Sequence, residues 1–237
     1  MGQMVAASVS ADPETRVAAG IDLGDSLREA LERSEVVIDF TLPSFTDELV
    51  ERCREKNIPI VMGTTGVTDV MERYIGSNTM QTISRAHCPV LCIPANTQYK
   101  DINKIVYASD YQVEDSNVLN QLTAFVTPTG AEIHVLHIAQ QENDIEEAMY
   151  NDNVEQTKTY LNYERLKFSI AYNEDPAHGI DNYMIQEKAD LLAIFYRQKN
   201  FFQKLLDDST TKDITYFATY PVMIFKETEV ETENAQE

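Results

Sequence analysis

Residues 58–66 read Ile-Pro-Ile-Val-Met-Gly-Thr-Thr-Gly, and residues 76–79 read Gly-Ser-Asn-Thr. The apolar start predicts a buried strand, and the two glycines after it let the backbone turn and bring N–H groups close to an anion. The second cluster begins a helical pattern, whose first amides and hydroxyls also suit a phosphate. The spacing G-x2-G-x9-G-S leaves two interpretations open: a phosphate cradle, or a strand-to-helix turn followed by a helix cap at Ser77.

The composition limits the class of protein. The chain has 237 residues, 43% of them hydrophobic, and a formal net charge of −20. Such a charge repels nucleic acid and anionic membranes, so neither is expected as a partner. Three cysteines, Cys53, Cys88 and Cys92, give no disulfide framework, and Cys88 and Cys92 fall in an apolar run expected to be inert core. With no membrane-length apolar stretch and no signal-peptide pattern, we expect a cytoplasmic α/β protein.

Buried strands alternate with amphipathic helices along the chain, which predicts parallel βαβ units and doubly wound sheets. The first unit starts on a helix with no strand before it, so it looks incomplete at its N-terminus. The predicted helices are 2–11, 27–33, 43–56, 80–85, 115–125, 142–161, 180–188 and 213–218. The predicted strands are 16–21, 35–40, 58–62, 89–94, 105–110, 131–138, 168–172, 191–195 and 221–225.

These elements predict two domains and a tail. The first domain covers residues 1–96, and a complete five-strand unit covers 102–226. Residues 227–237 are acidic and are predicted to be disordered.

An internal repeat relates the two domains. A shift of 132 residues, without a gap, places Ser77 on Ser209 and residues 89–90 on 221–222. The same shift places the three glycines on Phe195, Gln198 and Asp208. These side chains would block or repel a phosphate, so the second copy is predicted to keep the architecture without the anion site.

Residues 62–66, 74–79 and 87–94 resemble the closing motifs of a universal stress protein domain. That resemblance implies a tandem protein of two Rossmann-like domains, in which the glycine motif binds the phosphates of ATP. It also implies that the closing strands, 89–93 and 221–225, pair in an antiparallel manner. The function expected from it is nucleotide-dependent regulation in the stress response, without efficient catalysis.

Residues 35–43 and 59–66 resemble the cofactor domain of dihydrodipicolinate reductase, whose cofactor is NAD(P)H. Residues 1–4 resemble the end of that family's glycine-rich loop, but its catalytic segment has no counterpart after residue 66. The two resemblances overlap at 60–66, which predicts a chimera with residues 35–62 as third strand, third helix and fourth strand. The alternative is a divergent stress-protein half with its first strand at 18–22 and Asp22 near the adenine.

The predicted site is therefore a nucleotide site, with no catalytic or metal-binding residue assigned. Asp39, at a strand end, is either an acceptor for a ribose hydroxyl or a solvated loop carboxylate. His134 and His137 should face opposite sides of one strand, which disfavours a shared metal. A protein without any ligand and a remnant NAD(P)H-dependent oxidoreductase remain the alternative functions, and a homodimer is possible. The predicted phosphate ligands are Gly63, Gly66, Gly76, Ser77, Asn78 and Thr79.

Overall fold

The structure is a computed structural model, and it describes most of the chain in several stretches. The described residues are 2–22, 24–39, 43–56, 58–64, 83, 86, 88–94, 97–98, 100–111, 115–141, 144–196 and 220–226. Of the predicted helix 80–85 only Ile83 is described, and the predicted helix 213–218 and tail 227–237 lie outside the described residues.

Eight strands form one sheet, with six helices in the described residues. The strands are β1 (Val37–Asp39), β2 (Ile60–Thr64), β3 (Val90–Pro94), β4 (Lys104–Ala108), β5 (Glu132–Ala139), β6 (Leu166–Tyr172), β7 (Leu191–Tyr196) and β8 (Val222–Lys226). The helices are α1 (Gly2–Ala11), α2 (Leu27–Leu31), α3 (Pro43–Lys56), α4 (Asp115–Val126), α5 (Asp144–Tyr160) and α6 (Pro176–Glu187).

The strand order is β1-β2-β3-β8-β7-β4-β5-β6. Every neighbouring pair is parallel except β3 and β8, which pair antiparallel with Val90 opposite Ile224 and Cys92 opposite Val222. The predicted α/β class with parallel sheets is confirmed, and so is the antiparallel pairing of the two closing strands. We call β1–β3 with their helices the first half (residues 1–96) and β4–β8 the second half (102–226).

Helix ends follow the local capping chemistry. The side chain of Ser26 accepts a hydrogen bond from the Glu29 amide at the start of α2. Asp175 does the same for Ala177 at the start of α6, where Pro176 takes the first helical position. The prediction of a start at residue 180 missed this cap and was four residues late.

The predicted strand 16–21 is wrong. Residues 16–22 have no regular secondary structure, and Val17 is exposed. The run is short and is broken by Gly20, so it cannot supply a buried strand face. Asp22 is exposed, and its amide donates to Asp25 Oδ2 at 2.8 Å. The alternative that places a first strand at 18–22 and Asp22 beside a base is therefore wrong as well.

The position of β1 in the sheet also differs from the prediction. The 132-residue shift aligns β1 with β6, the third strand of the second half. The shift therefore predicts that β1 is the third strand of the first half. In the sheet β1 pairs directly with β2, whereas β6 is separated from β7 by β4 and β5. Since no strand precedes β1 in the described residues, it takes the place beside β2 that β4 takes beside β7.

The buried apolar side chains form one cluster on each face of the sheet. The first, the spanning core, extends from Leu49, Ile60 and Val90 through Ile224 to Leu136. The second, the second-half core, contains buried side chains of β4, β5, β7, β8, α4 and the loops around them, with Leu91 and Phe168 packed against it. Cys92 belongs to the spanning core, as predicted, whereas Cys88 is only half-buried.

Among the helices in the described part of the chain, none has the length and apolar character needed to cross a membrane.

Candidate functional site

The predicted site lies at the carboxyl edge of the first half. Asp39 is the last residue of β1 and is opposite Met62, and Gly63 follows Met62 on β2. Gly63 in turn is opposite Ile93 on β3. Because these strands are parallel, their carboxyl ends meet at one edge, so Gly63 and Asp39 lie on neighbouring strands one register step apart. The remaining predicted ligands, Gly66, Gly76, Ser77, Asn78 and Thr79, lie outside the described residues.

Burial excludes one of the two interpretations of Asp39. Only 3% of its surface is exposed, so it is not a solvated loop carboxylate. It shares a strand face with Val37, which packs against the spanning core. The charge of Asp39 also contributes to the raised pKa of Cys53 in α3, after burial and the neighbouring Cys88. The carboxylate at the end of β1 therefore lies near enough to Cys53 to act on it electrostatically.

The corresponding edge of the second half is filled by the chain's own polar groups. The Ser109 hydroxyl and the Tyr107 hydroxyl both donate to the carboxylate of Asp115, the latter at 2.6 Å. The amide of Tyr111 donates to Ser109 Oγ at 3.1 Å. Buried Asp115 begins α4, where a negative charge is favoured by the helix dipole. Sequence reasoning missed Asp115; its place as the first residue of a predicted helix was the available signal.

An aromatic pair covers the same edge. The rings of Tyr111 and His137 stack with centroids 4.1 Å apart and an interplanar angle of 21°. His137 Nδ1 lies 3.0 Å from the carbonyl oxygen of Ser109, so this nitrogen carries the proton and donates. Tyr111 has a left-handed backbone with φ of 58°. The shift places no glycine at the matching positions of the second half, and local side chains of this half occupy its carboxyl edge.

His134 lies on the other face of β5, as predicted. Its ring is buried, and Nδ1 is 2.9 Å from the hydroxyl of Tyr183 in α6. Nε2 is 3.0 Å from Oε1 of Glu132 but lacks the alignment of a hydrogen bond. Burial lowers the pKa of His134, and Glu132 opposes that effect only in part. The neutral imidazole is therefore favoured in the folded chain.

Comparison with known families gives two results for two parts of the molecule. The family model "Dihydrodipicolinate reductase, N-terminus" matches residues 1–91. The 4-hydroxy-tetrahydrodipicolinate reductase of Acinetobacter baumannii (strain AYE) is 50% identical over 50 residues, which are 21% of this chain and 18% of that protein. The corresponding reductase of Nitrosospira multiformis is 53% identical over 47 residues, 20% of this chain and 18% of that protein. The chain thus matches under a fifth of the length of these relatives.

Among solved structures the similarity is to universal stress proteins, and it concerns the fold. A universal stress protein from Archaeoglobus fulgidus DSM 4304 superposes with a TM-score of 0.55 and 16% identity, over 78% of this chain and 66% of that one. At this identity the likeness shows the fold alone. The first part of the chain therefore has a sequence similar to the N-terminal part of dihydrodipicolinate reductases, and most of the chain has the fold of universal stress proteins.

Proposed function

We propose that this protein binds a nucleotide at the carboxyl edge of β1 and β2, that the nucleotide is ATP, and that its binding regulates a partner in the stress response. The observation that carries the proposal is the placement of Gly63 and buried Asp39 on neighbouring parallel strands at that edge. Open α/β sheets bind their ligands outside the carboxyl ends of their strands.

Each group has a chemical role in this proposal. Gly63 lets the backbone approach the phosphates closely, and Gly66 and Gly76 continue the same motif. The carboxylate of Asp39 accepts hydrogen bonds from the ribose hydroxyls. The net charge of −20 opposes an anionic ligand, so local N–H and hydroxyl donors must supply the binding energy. Regulation without efficient catalysis is the function expected from the resemblance to universal stress proteins, and it is proposed on that ground.

The family match over residues 1–91 favours a second candidate, NAD(P)H, at the same edge. The relatives that share this segment are reductases by name. The match covers only the part of the chain that would hold a cofactor. The similarity therefore supports binding of NAD(P)H, but not a reductase reaction.

A thermal-shift titration of the full chain with ATP, NADH and NADPH tests the proposal. We expect ATP to raise the unfolding midpoint, since a ligand at 100 times its dissociation constant adds about 2.7 kcal/mol to the stability. Gly76→Asp should abolish the effect because a carboxylate would meet the phosphates. The matched control, Gly20→Asp, adds the same charge at a position with no neighbouring atoms and should leave the shift unchanged.

The other outcomes of this titration would support one of the two alternative functions. A midpoint raised by NADH or NADPH and not by ATP would replace the first proposal by the second. No shift with any of the three would indicate a protein that acts through protein contacts without a nucleotide.

A further inference from the structure

A small cavity lies between α3 and the start of β2, away from the carboxyl edge. Its volume is about 30 Å³, and Cys53 of α3 and Cys88, two residues before β3, both line it. The lining is completed by apolar side chains, among them Ile58 and Ile60, and by the side chain of Arg54. Neither the proposed nucleotide site nor the core packing requires two thiols here.

The two thiols line the same small cavity, so their side chains are neighbours in the fold. The electrostatics agree, because Cys88 contributes, after burial, to raising the pKa of Cys53 to about 11. A disulfide needs β-carbons roughly 4 Å apart, so closing one here requires the two side chains to meet across this cavity.

The two thiols differ in access. Cys53 is 1% exposed, whereas Cys88 is half-buried. Arg54 extends from the cavity lining to an exposed position on the surface of α3. Cys88 is therefore the thiol that a small oxidant from solution meets first.

We propose that Cys53 and Cys88 form a redox pair, in which a hydroperoxide oxidises Cys88 and Cys53 then closes a disulfide that ties α3 to the residues before β3. In the first step the Cys88 thiolate attacks hydrogen peroxide, the O–O bond breaks, and hydroxide leaves Cys88 as a sulfenic acid. In the second step the Cys53 sulfur attacks that of Cys88, the S–O bond breaks, and water leaves. Two thiols and one peroxide thus become one disulfide and two waters.

Hydrogen peroxide should oxidise the Cys53–Cys88 pair slowly at neutral pH. Burial is the main cause that raises the pKa of Cys88, so its reactive thiolate is a minor form there. The oxidation rate should rise about tenfold per pH unit while the pH stays below that pKa. The disulfide should therefore form during prolonged exposure to peroxide and not during a brief one. A thiol reductant should reduce it again.

Counting thiols in the intact chain tests the proposal. The reduced protein is treated with hydrogen peroxide, unfolded, alkylated and analysed by mass spectrometry. We expect alkylation of all three cysteines before oxidation and of Cys92 alone afterwards. The unalkylated mass should fall by about 2 Da, the two hydrogens lost on disulfide formation. The proposal is overturned if all three cysteines remain alkylated, if the mapped bridge contains Cys92, or if the bridge joins two chains.

Two variants examine the order of the steps. In Cys53→Ser the sulfenic acid on Cys88 has no partner and should accumulate as an adduct with dimedone. In the matched control Cys92→Ser the other two thiols should still disappear together. If either buried substitution prevents folding, Cys88→Ser, at the half-buried position, provides the test: its Cys53 should stay reduced at a peroxide concentration that closes the wild-type bridge. Oxidation of Cys53 in that variant would contradict the proposal.

Discussion

The two halves of the sheet are built differently. In the second half the buried apolar side chains lie on both faces of the strands, in the spanning core and in the second-half core. In the described part of the first half they cluster on one face only, and β1 ends the sheet with Ile38 exposed. Among the described residues, those of the second half, whose sequence lacks the glycine motif, are therefore packed on both sides of their strands. That the second half forms its strands without these glycines supports the ligand proposed for the first half.

The largest predicted effect is at the junction of the halves. Ile224 is 2% exposed and pairs with Val90 of β3 and with Ile194 of β7. Ile224→Ala should lower the free energy of unfolding by about 2–5 kcal/mol, because it opens a cavity in the core that both halves share. Urea denaturation followed by two probes measures this change, with the exposed Ile185→Ala as control. Halves that unfold separately, with only one transition shifted, would contradict a shared core.

The next effect concerns close packing in the second half. A Cβ added to Gly179 in α6 would lie 2.9 Å from Ile138 Cγ2 and 3.1 Å from Asn173 Cβ. Gly179→Ala should destabilise the protein by roughly 1–3 kcal/mol, because such overpacking forces the neighbours to move. In the first half a Cβ on Gly20 would meet no atom within 4 Å. Gly20→Ala should therefore leave the thermal midpoint nearly unchanged. An equal loss of stability in both variants would contradict the expected difference in packing between the two positions.

A pH effect is expected from His134 in the second half. Its pKa is lowered chiefly by burial, so below about 6.5 the unfolded chain binds a proton that the folded chain resists. The free energy of unfolding should consequently fall as the pH drops from 7.5 to 5, by about 1.4 kcal/mol for each unit of difference in pKa. His134→Gln should flatten this part of the pH profile, and the exposed His178→Gln should not. A profile that keeps its slope in His134→Gln would assign the effect to other groups.

The smallest effect is predicted at the free end of the sheet. Ile38 is 41% exposed, so Ile38→Thr, which keeps the β-branch, should change the free energy of unfolding by less than about 0.5 kcal/mol. The same urea experiment measures it. A loss of several kcal/mol would show that this face of β1 is covered in solution, which would make the two halves more alike than the described residues indicate.

Local signals explain what could be predicted from the sequence. The bounds of α1 and α3 were predicted correctly, because Pro13 follows the first and Pro43 opens the second. The strands β3 and β4 were located within two residues, since short β-branched apolar runs between turn residues leave little choice. The pairing of β3 with β8 followed from the family resemblance rather than from the strands themselves.

Non-local information explains what could not be predicted. Nothing within residues 35–40 indicates that β1 lies beside β2, because a strand's neighbour depends on which other strands are present. The apolar run 16–21 has strand composition but forms no regular secondary structure, although Ile21 packs against the spanning core. The burial of Asp39 likewise depends on its place in the folded sheet beside β2, and the partners of Asp115 come from residues before its own helix.

The insertion of β8 between β3 and β7 has a consequence for biosynthesis. The sheet becomes continuous only when the ribosome has released a strand that lies some 130 residues downstream of its partner β3. Until then β3 and β7 both present unpaired edges, which are templates for association between nascent chains. A message that stops before codon 222 would yield two sheet fragments with unpaired edge strands. We therefore expect such products to depend on chaperones or to aggregate.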